Sequence, residues 1–312
     1  MKKIRDYIFL FLKGVCMGSV DPLLGISGGT IAFITGIYDK WLKSIEAFDH
    51  EAFRMLKKSQ IALLWQRVNG KFLLSIMAGI VASLFTIVPL ITFLIENYGI
   101  MIRSFFLGLM LIIAPLFLRQ IKKLNILTII GLLSGIACAY GLTLLAPIPT
   151  PDGLPMIFVI GILSVASMMI PGLSGTFLLL LFAKYQYIMA AFAEMNVAVI
   201  LVFTLGCTAG LLSLSRIIRW ILSHYHSVAV ALLTGLMLGA LNKIWPWRET
   251  LEYVTNSKGE QVPAFDRSIL PWNYMTITGK DPQVFQAILM MALGVFIVVL
   301  FEKVAARIKT KI

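Results

Sequence analysis

Two short stretches interrupt a very apolar chain with residues able to do chemistry: Gly25-Ile26-Ser27-Gly28-Gly29-Thr30 and Pro171-Gly172-Leu173-Ser174-Gly175-Thr176. Glycine lets the backbone turn sharply and lets a ligand approach closely. Where a helix restarts after such a break, its unbonded N–H groups and positive dipole end suit an anion, phosphate above all. Gly25, Gly28, Gly29, Gly172 and Gly175 would bare the backbone, while Ser27, Thr30, Ser174 and Thr176 add hydroxyl donors. Lys13 and Arg103 are the cations expected to neutralise that anion, although Arg103 also fits a side chain snorkelling to the outer membrane surface. Asp21, just ahead of the first break, either carries a proton or another cation or caps a half-helix. Glu194 is a further candidate for a proton relay, and Tyr38 and Tyr185 fit interface anchors as well as ligand contacts.

The same letters permit other readings. Small residues allow close helix packing, but their recurrence at two related places favours a binding site. "GISG" and "GLSG" also match the serine motif of intramembrane hydrolases, which would make Ser27 or Ser174 a nucleophile needing a histidine base. The histidines are His50, in a charged insert, and His224 and His226, at the start of a span, with no acidic orienter beside them. A catalyst needs one nucleophile rather than a matched pair, so the chain is not read as an enzyme. Cys16, Cys138 and Cys207 lie in apolar segments without CxxC spacing, so neither a metal nor a cofactor is expected.

The elements that must hold these breaks are set by composition. Of 312 residues, 59% are hydrophobic and 13% charged, with mean hydropathy +0.90, too apolar for any soluble interior to hide. Apolar runs of about 20 residues, enough to cross ~30 Å of hydrocarbon, occur at 72–95, 98–118, 125–146, 195–215, 227–245 and 284–301. Broken pairs of shorter apolar pieces precede each set, at 6–20 with 24–40 and at 156–170 with 171–188. The expectation is an all-α integral membrane protein, lodged among membrane lipids, whose net charge of +12 serves topology rather than nucleic acid.

An internal repeat organises these pieces. Gly25 and Ser27 recur 147 residues on as Gly172 and Ser174, and the "GLML" of 108–111 recurs 127 residues on at 235–238. Repeats are therefore expected at 1–147 and 148–312, each a broken or re-entrant helix hairpin followed by three transmembrane helices. An odd number of crossings in the first half turns the second upside down, the inverted-topology architecture of secondary transporters. With the N-terminus and C-terminus cytoplasmic, 19 of the 27 lysines and arginines fall on the inner side, as the positive-inside rule requires. An insert at about 41–69 spaces Trp41, Ile45, Phe48, Ala52 and Leu56 as a surface helix or a solvated connector. A loop at about 246–283 is expected outside, with a small hairpin about "NSKG".

The segments "KGVCMGSVDPLLGISGGTIAFITGIYDKWL", "MMIPGLSGTFLLLLFAKY" and "GLMLGALNKIWPW" resemble the bacterial polyprenyl-phosphate (undecaprenyl-phosphate) transporter family, formerly a membrane domain of unknown function. The likeness covers nearly the whole chain. It departs from the family's first motif at Leu24, where that motif carries a proline, while Pro22 is an addition and Pro171 keeps the pattern. The resemblance implies a flippase in the bacterial cytoplasmic membrane that returns a C55-type isoprenoid phosphate from the outer to the inner leaflet for peptidoglycan and other envelope polymers. A secondary transporter of a small soluble anion remains the alternative.

Overall fold

The computed structural model describes residues 2–20, 26–121, 124–255 and 261–309. Asp21 and Gly25 lie outside the described residues. Fourteen described helices run in order as α1 (Lys2–Ser19), α2 (Gly28–Ile34), α3 (Tyr38–Glu46), α4 (His50–Lys57), α5 (Ile61–Arg67), α6 (Gly70–Leu118) and α7 (Ile126–Leu144). They continue as α8 (Leu154–Met169), α9 (Gly175–Leu181), α10 (Tyr185–Ala193), α11 (Val197–His224) and α12 (His226–Ile244). A two-stranded antiparallel hairpin follows, β1 (Arg248–Thr255) with β2 (Gln261–Ser268), then α13 (Pro271–Thr278) and α14 (Val284–Lys309). The expected small hairpin is present, and its tip at 256–260 lies outside the described residues.

Four helices, α6, α7, α11 and α12, are long and apolar enough to cross a membrane, or five if α9 and α10, bent by 105°, make one broken span. Their greasy faces point outward: Phe85 of α6 is 80% exposed and Leu201 of α11 58%. That is the reverse of a soluble fold, and hydrocarbon is the solvent that makes it stable. The chain is a multi-pass membrane protein. With 49 residues, α6 would reach about 73 Å as one helix, far more than ~30 Å of hydrocarbon. It is divided at Tyr98, where φ −132° and ψ 39° leave the helical region. Two spans therefore join there without a loop.

Spans meet where glycine removes a side chain. A Cβ on Gly79 of α6 would lie 2.1 Å from the Phe11 carbonyl of α1, and one on Gly206 of α11 2.2 Å from the Phe158 carbonyl of α8. The same closeness joins the second arm of α6 to α14, through Gly108 against Met291 and Gly294 against Phe105. It also joins α12 to α7, through Gly235 against Leu132 and Gly135 against Leu232. Backbone-to-backbone packing of this kind replaces the hydrophobic drive that is missing between helices in lipid.

Of the two expectations for the insert, a continuous surface helix is not what forms. The insert forms α3, α4 and α5, because Asp49 caps α4 by accepting from Ala52 N at 3.0 Å and so starts a new helix. Arg67 folds the end of α5 back onto it, 2.6 Å from Asp49 and 2.8 Å from Glu51. The apolar stripe is consequently split: Ile45 and Ala52 are buried, and Phe48 and Leu56 are exposed.

Candidate functional site

The first break is organised by Ser27, the N-cap of α2, in extended backbone at φ −122° and ψ 156°. Its hydroxyl oxygen accepts from Thr30 N at 3.3 Å, the usual use of serine at a helix start. From there α2 runs back along α1. Gly28 lies against Met17 of α1, and one helix length later Lys13 Nζ donates to the Thr35 carbonyl at 2.8 Å. A lysine at that end satisfies a terminal carbonyl and opposes the negative end of the helix dipole. The second break repeats the plan. Gly172 turns the chain in the left-handed region at φ +92°, with no room for a side chain because Met237 Cα would lie 2.5 Å from a Cβ. Then α9 runs back along α8, with Gly175 against the Ser164 carbonyl and Leu179 packed with Ile157 and Ile160.

The two breaks meet. Ser27 Oγ donates to the Ile170 carbonyl at 3.0 Å, and Gly172 N donates to Thr30 Oγ1 at 3.2 Å. Tyr38 OH donates to the Met169 carbonyl at 2.9 Å. Gly29 makes this approach possible, since a Cβ there would fall 2.6 Å from the Met169 carbonyl. Ser27, Gly28, Gly29 and Thr30 thus come together with the backbone of 169–172. Their hydroxyls, however, are clasps between the hairpins rather than the free donors expected. The backbone acceptors Met169 and Ile170 were not legible in advance, because a carbonyl carries no letter of its own.

The second break keeps polar groups in reserve. Ser174 caps α9 without a side-chain bond, and among the described residues neither Ser174 Oγ nor Thr176 Oγ1 makes a hydrogen bond. Ser164 Oγ is buried and has no partner among the described residues. A buried hydroxyl left unbonded is costly, so Ser164 Oγ, with the unbonded hydroxyls of buried Ser174 and half-buried Thr176 close to it in the same hairpin, favours a polar guest there. An apolar crevice lined by Leu118, Ile121, Leu132 and Ala231 lies elsewhere, at the 119–125 end, and holds none of the candidate residues.

The remaining candidates are dispersed. Lys13 sits at the far end of α2 from Ser27. Glu194 is an exposed C-cap of α10. Arg103 lies at the Tyr98 end, 3.9 Å from Asp266 of β2. There Lys243, in the last turn of α12, approaches the same carboxylate at 3.5 Å and lies 5.4 Å from the centre of the Phe177 ring of α9. Arg248 grips Asp266 through both carboxylate oxygens and also donates to the Asn242 carbonyl and Ser268 Oγ. Burial pushes the Asp266 carboxyl up, but hydrogen bonds and charge from Arg248, with the charges of Lys243 and Arg103, hold it below the usual carboxylate value. Of this cluster the sequence reading singled out Arg103 alone. Lys243 and Arg248 are missed by it, although a lysine in the last turn of an apolar span is the signal that points to the cluster. His224 bonds Ser223 and the Trp220 carbonyl, and neither Ser27 nor Ser174 has a histidine partner among the described residues.

Comparison with known proteins places these features in a family. Residues 17–262, both breaks included, match the VCA0040-like, undecaprenyl phosphate translocase-like family. The chain belongs to this family. It is 39% identical over 305 residues to a polyprenyl-phosphate transporter of Vibrio cholerae, covering 98% of this chain and 99% of that one. A polyprenyl-phosphate transporter of Staphylococcus aureus is 28% identical over 253 residues, 75% of this chain and 85% of that one. No solved structure matches the chain. That the family's relatives are transporters fits a chain that is not an enzyme.

Proposed function

We propose that this protein carries polyprenyl phosphate, of the undecaprenyl class, across the bacterial cytoplasmic membrane and returns it from the outer to the inner leaflet for envelope polymer synthesis. The observation that carries the reading is the seam between the breaks, where Ser27, Thr30, Ile170 and Gly172 bond one hairpin to the other. The seam satisfies backbone groups of the second break, the Ile170 carbonyl and the Gly172 N–H, and irregular backbone at membrane depth persists only against protein or a polar cavity. Parting the seam would bare Gly172 N and the Thr30 hydroxyl beside Ser174 and Thr176, a donor set suited to a phosphate. The isoprenoid tail stays in lipid.

In this reading the halves are inverted repeats with both termini cytoplasmic. The glycine contacts support it, since they recur at fixed offsets. Gly79 and Gly206 are 127 residues apart and meet Phe11 and Phe158, 147 apart. Gly108 and Gly235, also 127 apart, meet Met291 and Leu132, 159 apart. Asp21 and Glu194 are the candidate couplers to protons or another cation.

The test is a leaflet-exchange assay in proteoliposomes with a short-chain polyprenyl phosphate. Ser174→Ala combined with Thr176→Val should slow exchange about tenfold, the scale of one hydrogen bond to a charged group, at an unchanged melting temperature. Uptake of inorganic phosphate or sulfate without any lipid exchange would overturn the proposal in favour of a soluble-anion transporter.

A further inference from the structure

The insert ahead of α6 leaves its later part uncovered. Phe48, Phe53, Leu56, Ile61, Leu63 and Trp65 are all exposed, Phe53 by 57% and Ile61 by 65%. So many large apolar side chains in the one stretch 48–65 form a patch that water does not suit. The charges among them are one-sided. Arg67 engages both acids, Asp49 and Glu51. Arg54, Lys57 and Lys58 are exposed and have no acidic partner among the described residues. Phe53, Leu56 and Lys57 share a side of α4 by their three- and four-residue spacing, and Lys57 Nζ lies 4.9 Å from the centre of the Phe53 ring. Cation and apolar face therefore stand together.

The span that follows sets the depth of this patch. Asn69, in the left-handed region at φ 51° and ψ 48°, turns the chain from α5 directly into α6. Trp65 lies over that turn, since a Cβ on Gly70, the first residue of α6, would fall 2.2 Å from its ring. Leu74, one turn further on, is 60% exposed, so the lipid-facing surface of the span begins about 6 Å along the axis from Gly70. Trp65 thus sits at the edge of the hydrocarbon, where tryptophan is favoured, with exposed Lys71 beside it. The bonds from Arg67 to Asp49 and Glu51 tie α4 to α5, which keeps α4 close to that edge.

We infer that α4 and α5 form a docking surface for an anionic phospholipid leaflet, with Phe53, Leu56, Ile61 and Trp65 sunk below the headgroups and Arg54, Lys57 and Lys58 at the phosphates. Apolar insertion joined to cations is how interfacial helices hold a charged membrane surface. Water would leave the apolar residues uncovered, and a neutral bilayer would offer the cations no net charge, so an anionic leaflet is the partner that satisfies both. It is the leaflet from which α6 starts, the inner one in the topology proposed above. The surface stands apart from the transport reading but adjoins its machinery. α3, which precedes α4, begins at Tyr38, whose hydroxyl holds the Met169 carbonyl of the second break.

The test uses the full-length protein in nanodiscs of phosphatidylcholine, alone or mixed with phosphatidylglycerol. Ile61→Cys, in a background of Cys16→Ala, Cys138→Ala and Cys207→Ala, carries an environment-sensitive nitrobenzoxadiazole label. Phosphatidylglycerol should shift its emission to the blue, and lipids brominated on the acyl chains should quench it. Arg54→Gln, Lys57→Gln and Lys58→Gln should each lower the ratio of docked to undocked label about fivefold, the scale of one cation at an anionic surface. High salt should do the same with the cations in place. If the label keeps its emission in water in both lipids, the insert is a solvated connector and the surface is wrong. Equal quenching in both lipids, unmoved by salt, would overturn the anionic partner. A blue shift without quenching would mean that protein, a second copy or another chain, covers the face, and would overturn the lipid assignment. If a cation variant fails to fold in a melt, the salt titration decides in its place. No substrate is present, so failure here leaves the transport reading standing, and failure of lipid exchange in proteoliposomes leaves this surface standing.

Discussion

Gly29→Ala tests the seam between the hairpins most directly. The new methyl would sit 2.6 Å from the Met169 carbonyl and 2.9 Å from that of Met168, and both obstacles are backbone. Real Cβ contacts begin near 3.0 Å, so the second break must retreat by about 0.4 Å at least. The hydrogen bonds now at 3.0 and 3.2 Å across the seam would then stretch toward 3.4 and 3.6 Å, where little of their strength survives. Overpacking costs about 1–3 kcal/mol and each weakened bond about 0.5–1.5 kcal/mol. Because these effects overlap, the expected loss is about 2–4 kcal/mol. Reversible unfolding in mixed detergent micelles measures it. Gly141→Ala is the control, since a methyl there meets nothing within 4 Å in the last turn of α7 and alanine suits a helix better. If Gly29→Ala unfolds like Gly141→Ala, the two breaks do not meet at backbone distance and the reasoning fails.

Gly79→Ala and Gly206→Ala collide with equivalent carbonyls at 2.1 and 2.2 Å, so each should destabilise by at least about 2 kcal/mol and by similar amounts in the same unfolding assay. Lys184→Met removes a buried ammonium that donates to the Thr150 carbonyl and to Asp152, and should cost about 1–3 kcal/mol while loosening the 148–152 strap, seen as faster proteolysis there. The Asp266 carboxyl titrates below its ordinary value of about 3.9, held there by Arg248, Lys243 and Arg103. Its ion pairs therefore contribute fully above that value and are lost as pH falls through the depressed one. Tryptophan emission from Trp245 and Trp247 should change below about pH 3.9 in the wild type, and Asp266→Asn should abolish that step.

Much of this architecture is written in side-chain pattern. The spans declare themselves by length and hydropathy, and Tyr98 falls between two runs that the sequence already separates at 95 and 98. The pairing of the breaks is visible because Ser27 and Ser174 repeat. Their different roles are not, since whether a serine clasps a neighbour or stays unbonded depends on carbonyls delivered by the other half, as Ile170 is to Ser27. The insert misled for a related reason: the stripe from Trp41 to Leu56 has helical spacing, but Asp49 is a good helix start as well as a surface residue, and the local cap prevailed. Asp266 is one acid among the charges of a hairpin; only folding brings it to cations 163 and 23 residues earlier in the chain.

The packing of α7 and α14 has a practical consequence. α7 lies in the first half of the chain but packs on α12, and α14 lies in the second half but packs on the far arm of α6. A fragment ending at 147 would strand α7 without its mate, and one starting at 148 would strand α14. Insertion into the bilayer would proceed for each fragment by itself, yet assembly would wait until α14 has left the ribosome, which makes that helix a clasp of biogenesis rather than an appendage.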